Sequence, residues 1–354
     1  MNQLFYVGSY TKKGGYFPKI NGEGLTVWSL DINSGQMRKL VTHENIVNST
    51  YMTKLGEDLL LIASDEYFDP GNILAYRIEK GISLLKLSSQ STLGTATCHV
   101  STMNGASPMV FATSYLDSKL SIYEICDGNL MPAHFIYEFQ GNGPNKDRQE
   151  DSHAHCAIVS PSGRWLYVCD LGSDAIWLLD LKNLTGEESD LRKIILPPGY
   201  GPRHLVFSEK HPLVYLICEL NAHVLTLRYN EKTGILELID DIPTLPKDYT
   251  GLPSASAIRL HPNGKTLYIS NRIHNSISVF SIDQKSGKLF FESRFNTEGD
   301  EPRDFNIDPS GKWLICANQN SDTLTSFELD RQTGLPKHDN QAIEACGTPV
   351  CVIF

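Results

Sequence analysis

Short apolar runs separated by turns recur along the whole chain. Three segments align by eye: Ser160-Pro-Ser-Gly-Arg-Trp-Leu-Tyr-Val-Cys-Asp170, His261-Pro-Asn-Gly-Lys-Thr-Leu-Tyr-Ile-Ser-Asn271 and Asp308-Pro-Ser-Gly-Lys-Trp-Leu-Ile-Cys-Ala-Asn318. Each reads as a Pro-x-Gly turn, a short apolar strand and a closing polar residue. A second strand follows over 175–181, 276–282 and 323–329, and a turn containing glycine comes after it. Alternation of apolar and polar residues in 276–282 predicts a strand with one buried face. No segment carries a 3.6-residue amphipathic period over three turns, so the pattern predicts an all-β protein.

Weaker copies fill the rest of the chain. The closing polar residue recurs at Ser9, Ser64, Ser114, Asp170, Glu219, Asn271 and Asn318. The turn glycine recurs at Gly35, Gly81, Gly128, Gly186, Gly234, Gly287 and Gly334. Seven copies in 354 residues give roughly 51 residues per unit, the range of propeller blades. One such sheet cannot cover both its faces alone, and radial stacking does so. The expectation is a seven-bladed β-propeller of four antiparallel strands per blade, one domain over 1–354. The C-terminal Gly347-Thr-Pro-Val-Cys-Val-Ile-Phe354 resembles Gly201-Pro-Arg-His-Leu-Val-Phe207, the start of another unit. It is therefore expected to supply the inner strand of the first blade and remove an open edge. A pair of β-sandwiches is the competing fold, and it does not predict seven matched markers.

Composition narrows the function. A net charge of −10, with no Lys/Arg run, argues against non-specific nucleic-acid binding. The N-terminus opens directly into a strand-like run without a basic leader, and no apolar run approaches the about 20 residues of a membrane span. Eight cysteines occur without a Cys-x-x-Cys pair, mostly inside apolar segments, which fits a reduced cytoplasm.

Aligning the units on their turns places His155, Arg203, Ser256, Arg303 and Val350 at one equivalent position, the start of an inner strand. The polar strand ends Asp170, Glu219, Asn271 and Asn318 belong to the same four neighbouring units. A radial fold is expected to bring these positions together, and convergent His, Arg and carboxylate groups suit an anionic substrate. Arg203, Arg303 and Arg272 can hold a carboxylate or phosphate by bidentate hydrogen bonds. His155 can act as a general base and Glu219 as an acid or as the group that orients the imidazole. Ordinary readings compete: buried arginines commonly pair with carboxylates inside blades, and a histidine at a strand start is often structural. His153 and His155, at i and i+2, face one side of a strand and could chelate a metal, but only two ligands are visible. Gly141-Asn-Gly143 lacks the strand and helix of a phosphate loop, no Gly-x-Ser-x-Gly elbow occurs, and Asn183-Leu-Thr185 matters only in a secreted protein. The polar, Gly-rich stretch 140–151 precedes His153 and is expected to act as a lid.

The chain resembles the seven-bladed propeller lactonase family, which includes a cycloisomerase-type 6-phosphogluconolactonase and a fungal carboxy-cis,cis-muconate cyclase. The marks are Tyr6-Val-Gly-Ser-Tyr-Thr11, Arg148-Gln149, His153-Ala-His155, Asp170-Leu-Gly-Ser-Asp174, Gly201-Pro-Arg-His204, Cys218-Glu-Leu220, Ser270-Asn-Arg272, Glu301-Pro-Arg303 and Ala317-Asn-Gln319. The resemblance implies catalytic roles for His155, Arg203, Glu219 and Arg272, with His153, Arg303 and Gln319 lining the substrate pocket; Asn271, a polar strand end of the aligned units, is expected to bind substrate as well. It implies a small anionic lactone as ligand, without cofactor or metal. Hydrolysis of a phosphorylated sugar lactone is the activity it favours, with muconate cycloisomerisation as the alternative and a non-catalytic protein-binding scaffold as the reading from another class. The long 9–21 insertion and the weaker match of the first two blades bear on the choice of substrate.

Overall fold

In the computed structural model, residues 2–12, 20–64 and 69–354 are described; 13–19, the middle of the 9–21 insertion, lie outside the described residues. Among the described residues there are seven antiparallel sheets and a single 3-10 turn, Glu188–Asp190. Six sheets run in chain order from first strand to fourth: those starting with Ser49–Leu55, Thr97–Met103, Ala154–Val159, Pro202–Phe207, Ala255–Leu260 and Pro302–Ile307. The sheet begun by Thr97–Met103 has a short fifth strand, Asn129–Leu130. The seventh starts with the C-terminal strand Pro349–Ile353, paired to Asn2–Ser9 and followed by Leu25–Asp31 and Met37–His43. This is a seven-bladed propeller in which both chain ends share one blade. By compactness the chain divides into two units. The first holds Met1–Ile46, Val206–Arg228 and Glu237–Phe354; the second holds Val47–Leu205 and Tyr229–Leu236.

Burial follows position in the blade. The second strands Trp165–Asp170, Thr266–Asn271 and Trp313–Asn318 are buried at all six positions, which explains their unbroken apolar runs. The fourth strand Leu289–Asn296 is mostly exposed. The alternating strand Ser276–Ile282 departs from expectation, because Ser276 and Ser278 are buried as well. Ser278 donates to the Thr244 carbonyl at 2.6 Å, and Asn271 Nδ2 reaches Ser278 Oγ at 3.1 Å. The polar face lies inside the protein, and paired hydroxyls make that burial tolerable.

The apolar cores lie where blades stack. In the first unit Phe5, Trp28 and Val352 of the shared blade pack with Trp313 and Ile315 of the blade before it. In the second unit Phe111 and Leu120 pack with Ala157, Leu166 and Val168 of the next blade. Each such side chain contributes about 1.5–3 kcal/mol by leaving water. The turn glycines belong to this packing. Gly35 has φ +74°, and an added Cβ would overlap the Trp313 ring. At Gly234, also φ +74°, an added Cβ would stand 2.7 Å from Trp165. A positive φ and a neighbouring blade's aromatic ring together demand glycine.

Candidate active site

One local device recurs at the start of the inner strands. Pairing with the second strand slips by one residue between Ser49 and Tyr51, Thr97 and His99, Ala154 and Cys156, and Pro302 and Asp304. Slips also occur between Ala255 and Ile258 and opposite Pro349. A bulge re-aims the extra residue. The bulged positions are those that turn alignment makes equivalent, including His155, Ser256 and Arg303.

A second device fixes the backbone at the start of four of the inner strands. The hairpin joining the second and third strands carries a residue with positive φ: Ser118, Asp174, Asn275 or Asp322. Ser118 Oγ accepts from the Ala154 amide at 3.0 Å. Asp174 accepts from Gly199 at 2.6 Å and Gly201 at 2.7 Å. Asn275 Oδ1 accepts from Glu301 at 2.9 Å, and Asp322 accepts from Thr348 at 2.8 Å. One blade's hairpin thus sets the strand start from which the next blade presents its bulged side chain.

In the second unit this machinery assembles an imidazole cluster. His155 is buried, with its ring centroid 5.2 Å from that of His204 and 5.7 Å from Tyr115, both edge-on. His204 also meets His99 at 5.5 Å and Tyr51 at 5.7 Å. Arg203 is buried beside them, its Nη1 3.4 Å from His204 Nε2. His153 is held differently. Its ring stacks on Tyr115 at 4.4 Å, Nδ1 faces the Tyr115 carbonyl at 3.0 Å and Nε2 faces Glu150 at 3.3 Å. With an acceptor on each nitrogen, His153 braces the wall behind His155. Among the described residues no group of three or more His, Cys, Asp or Glu is placed to hold a metal.

In the first unit the expected carboxylate and guanidinium meet each other. Arg272 Nη2 lies 2.8 Å from Glu219 Oε1, both side chains being buried. Arg272 Nε lies 3.8 Å from Glu301 Oε1 and makes no hydrogen bond among the described residues. The competing structural reading of a blade arginine therefore describes part of Arg272's environment, while its Nε–H remains a buried donor suited to an added acceptor. Arg303 is half-buried, donates to Gln319 Oε1 at 3.4 Å and lies over the Tyr10 ring at 5.6 Å.

Asn271, expected to bind substrate, is engaged by serines of its own blade and by Thr244, just after the preceding blade's last strand. Its Oδ1 accepts from Thr244 Oγ1 at 2.7 Å and its Nδ2 donates to Ser276 and Ser278. Asn318 and Asp170 behave similarly. Asp170 accepts from Ser152, Ser173, the His153 amide and Trp177. The polar residue closing the second strand is thus a pin for the blade, and Glu219 differs in pairing with an arginine. The stretch 140–151 also departs from a loose lid. Gln149 is fully buried, donates to the Leu171 carbonyl at 2.9 Å and accepts from the Asn145 amide at 3.1 Å. Sequence reasoning missed His204, His99, Tyr51 and Tyr115. The first three sit one residue beyond the aligned bulge position, so the same alignment carried their signal.

The comparisons with known proteins agree with this architecture. The family described as "Lactonase, 7-bladed beta-propeller" matches residues 4–354. The chain belongs to that family. It is 32% identical to a 6-phosphogluconolactonase of Bacillus subtilis, over 99% of this chain and 97% of that one. A 6-phosphogluconolactonase of Formosa agariphila is 31% identical over 86% of each chain. Among solved structures, the periplasmic gluconolactonase of Pseudomonas aeruginosa superposes with a TM-score of 0.89 at 26% identity, covering 100% of this chain and 99% of that one. Among the described residues of this lactonase-family chain, no helix is long and apolar enough to cross a membrane.

Proposed function

We propose that the protein hydrolyses an anionic sugar lactone, 6-phosphogluconolactone before others, to 6-phosphogluconate. The observation that carries this reading is the bulge that presents His155 as a buried side chain, with Arg203, its equivalent by turn alignment, buried beside His204, whose ring meets that of His155. The two relatives named 6-phosphogluconolactonase, matched over most of their length, support the choice of substrate.

In the proposed reaction His155 takes a proton from water as the water oxygen attacks the lactone carbonyl. Arg203 stabilises the oxyanion that develops there. When the intermediate collapses, the C–O bond to the ring oxygen breaks and that oxygen takes up the proton carried by the imidazolium, while Glu219 holds the Arg272 guanidinium at 2.8 Å. Arg272, with its buried Nε–H, and Arg303 with Gln319, all in the first unit, are candidates for binding an anionic or hydroxyl group there. The net change adds one water and releases a carboxylic acid, with no cofactor. The same reading treats 1–354 as one domain in the cytoplasm, where the six buried cysteines are suited to remain thiols.

The test is acid release from fresh 6-phosphogluconolactone, measured against the spontaneous rate. Opening above the blank is expected, with a loss of about 10²–10⁴-fold in His155→Ala, the usual size of a general-base contribution. Opening at the blank rate rejects the activity, and full activity in His155→Ala rejects the role of that imidazole.

A further inference from the structure

The stretch 140–151 holds a cation that the proposed reaction does not yet use. Arg148 donates from Nη2 to the Tyr115 hydroxyl at 3.3 Å. The Tyr115 ring stacks on His153 and meets His155 edge-on. Arg148 therefore stands one tyrosine ring away from the proposed general base, within the same unit.

Its position is built by the backbone. The amides of Arg148 and Gln149 both donate to the Asn145 carbonyl, at 3.2 and 2.7 Å, and Asn145 Oδ1 accepts from Asp147 at 3.2 Å. Gly143 donates to the Gln149 carbonyl at 2.9 Å, and a Cβ on Gly143 would stand 2.5 Å from the Gln149 amide carbon. The buried Gln149 side chain then ties this turn to Leu171. A turn fixed by its neighbour's buried amide holds the arginine stem at a defined place, which long surface arginines lack. Glu150, two residues further on, faces His153 Nε2 at 3.3 Å.

We propose that Arg148 is a specificity-determining residue, binding the anionic group of the substrate remote from the lactone carbonyl, while Tyr115 sets the guanidinium against His155. A phosphate monoester matches a guanidinium by paired N–H···O bonds. Arg148 thereby discriminates a phosphorylated lactone from its unphosphorylated parent. This rests on the lactonase reading above and adds the origin of the phosphate preference.

The experiment compares 6-phosphogluconolactone with glucono-1,5-lactone on wild type, Arg148→Met and Arg148→Lys. Wild type should prefer the phosphorylated substrate. Arg148→Met should raise its KM by about 10- to 100-fold, the loss of a charge-assisted hydrogen bond or two, and change kcat/KM for gluconolactone by less than about 3-fold. Arg148→Lys should recover part of the loss. An unchanged ratio, equal losses on both substrates, or a wild type without preference overturns the assignment. Calorimetric binding of 6-phosphogluconate against gluconate gives a reading without turnover. Should neither lactone be opened, the hydrolase reading fails; weaker binding of 6-phosphogluconate alone to Arg148→Met would still support the arginine, and unchanged binding would overturn it.

Discussion

Arg272 and Glu219 show how one side chain is shaped by its partner. Their contact of 2.8 Å removes two charges from water, which is tolerable only while both are present. Glu219→Ala is expected to lower unfolding free energy in urea by about 3–5 kcal/mol, because it strands a buried guanidinium. The double variant Glu219→Gln with Arg272→Met should return to within about 1–2 kcal/mol of wild type, yet remain inactive toward 6-phosphogluconolactone. A single variant costing under about 1 kcal/mol would show that the pair is solvated; an active double variant would remove both residues from the mechanism. The sequence supplied Glu219 as a strand-closing polar residue like Asn271. Their different fates follow from their neighbours: Thr244, Ser276 and Ser278 satisfy the Asn271 amide, whereas Arg272 meets Glu219.

Among the elements, the hairpin that grips the next strand start links fold to chemistry. Asp174 is buried, has φ +47° and accepts amides from Gly199 and Gly201, just before Arg203. The motif Asp170-Leu-Gly-Ser-Asp174 is thus a positioning motif, with Asp170 pinning its own blade and Asp174 the next strand's start. Asp174→Ala is expected to cost about 1–3 kcal/mol by leaving buried amides unmatched. It should lower kcat/KM by about 10-fold as Arg203 loses its fixed approach, with the His155-dependent pH profile unchanged. Wild-type kinetics in a destabilised Asp174→Ala would confine the residue to stability. Turn glycines and bulge positions were legible in the sequence because each recurs at a fixed offset from the Pro-x-Gly turn. The role of the hairpin tips was harder to read, because Ser118, Asp174, Asn275 and Asp322 share one function through different residue types.

For the molecule as a whole, the strand contributed by the C-terminus is the closing piece. Pro349–Ile353 pairs with Asn2–Ser9, while Val352 donates to Asp304 at 2.9 Å and accepts from Asn306 at 3.0 Å. Removing residues 347–354 would expose the edge of Asn2–Ser9 and part of the core around Phe5 and Trp28. The truncated chain should be recovered in the insoluble fraction, or unfold without a cooperative transition; a soluble, cooperative product would show that closure is dispensable. The repeat, the number of blades, their strand count and the shared blade were determined by the sequence itself, since burial in stacked sheets imposes a spacing that every copy must obey. Tertiary structure alone decided which polar groups face one another: the clustering of His204, His99 and Tyr51 with His155, the inward use of Asn271, and the seat of Arg148 on Tyr115. Periodicity records whether a position is covered. A bulge's direction, and the acceptor that a neighbouring blade offers, exist only once the sheets are stacked.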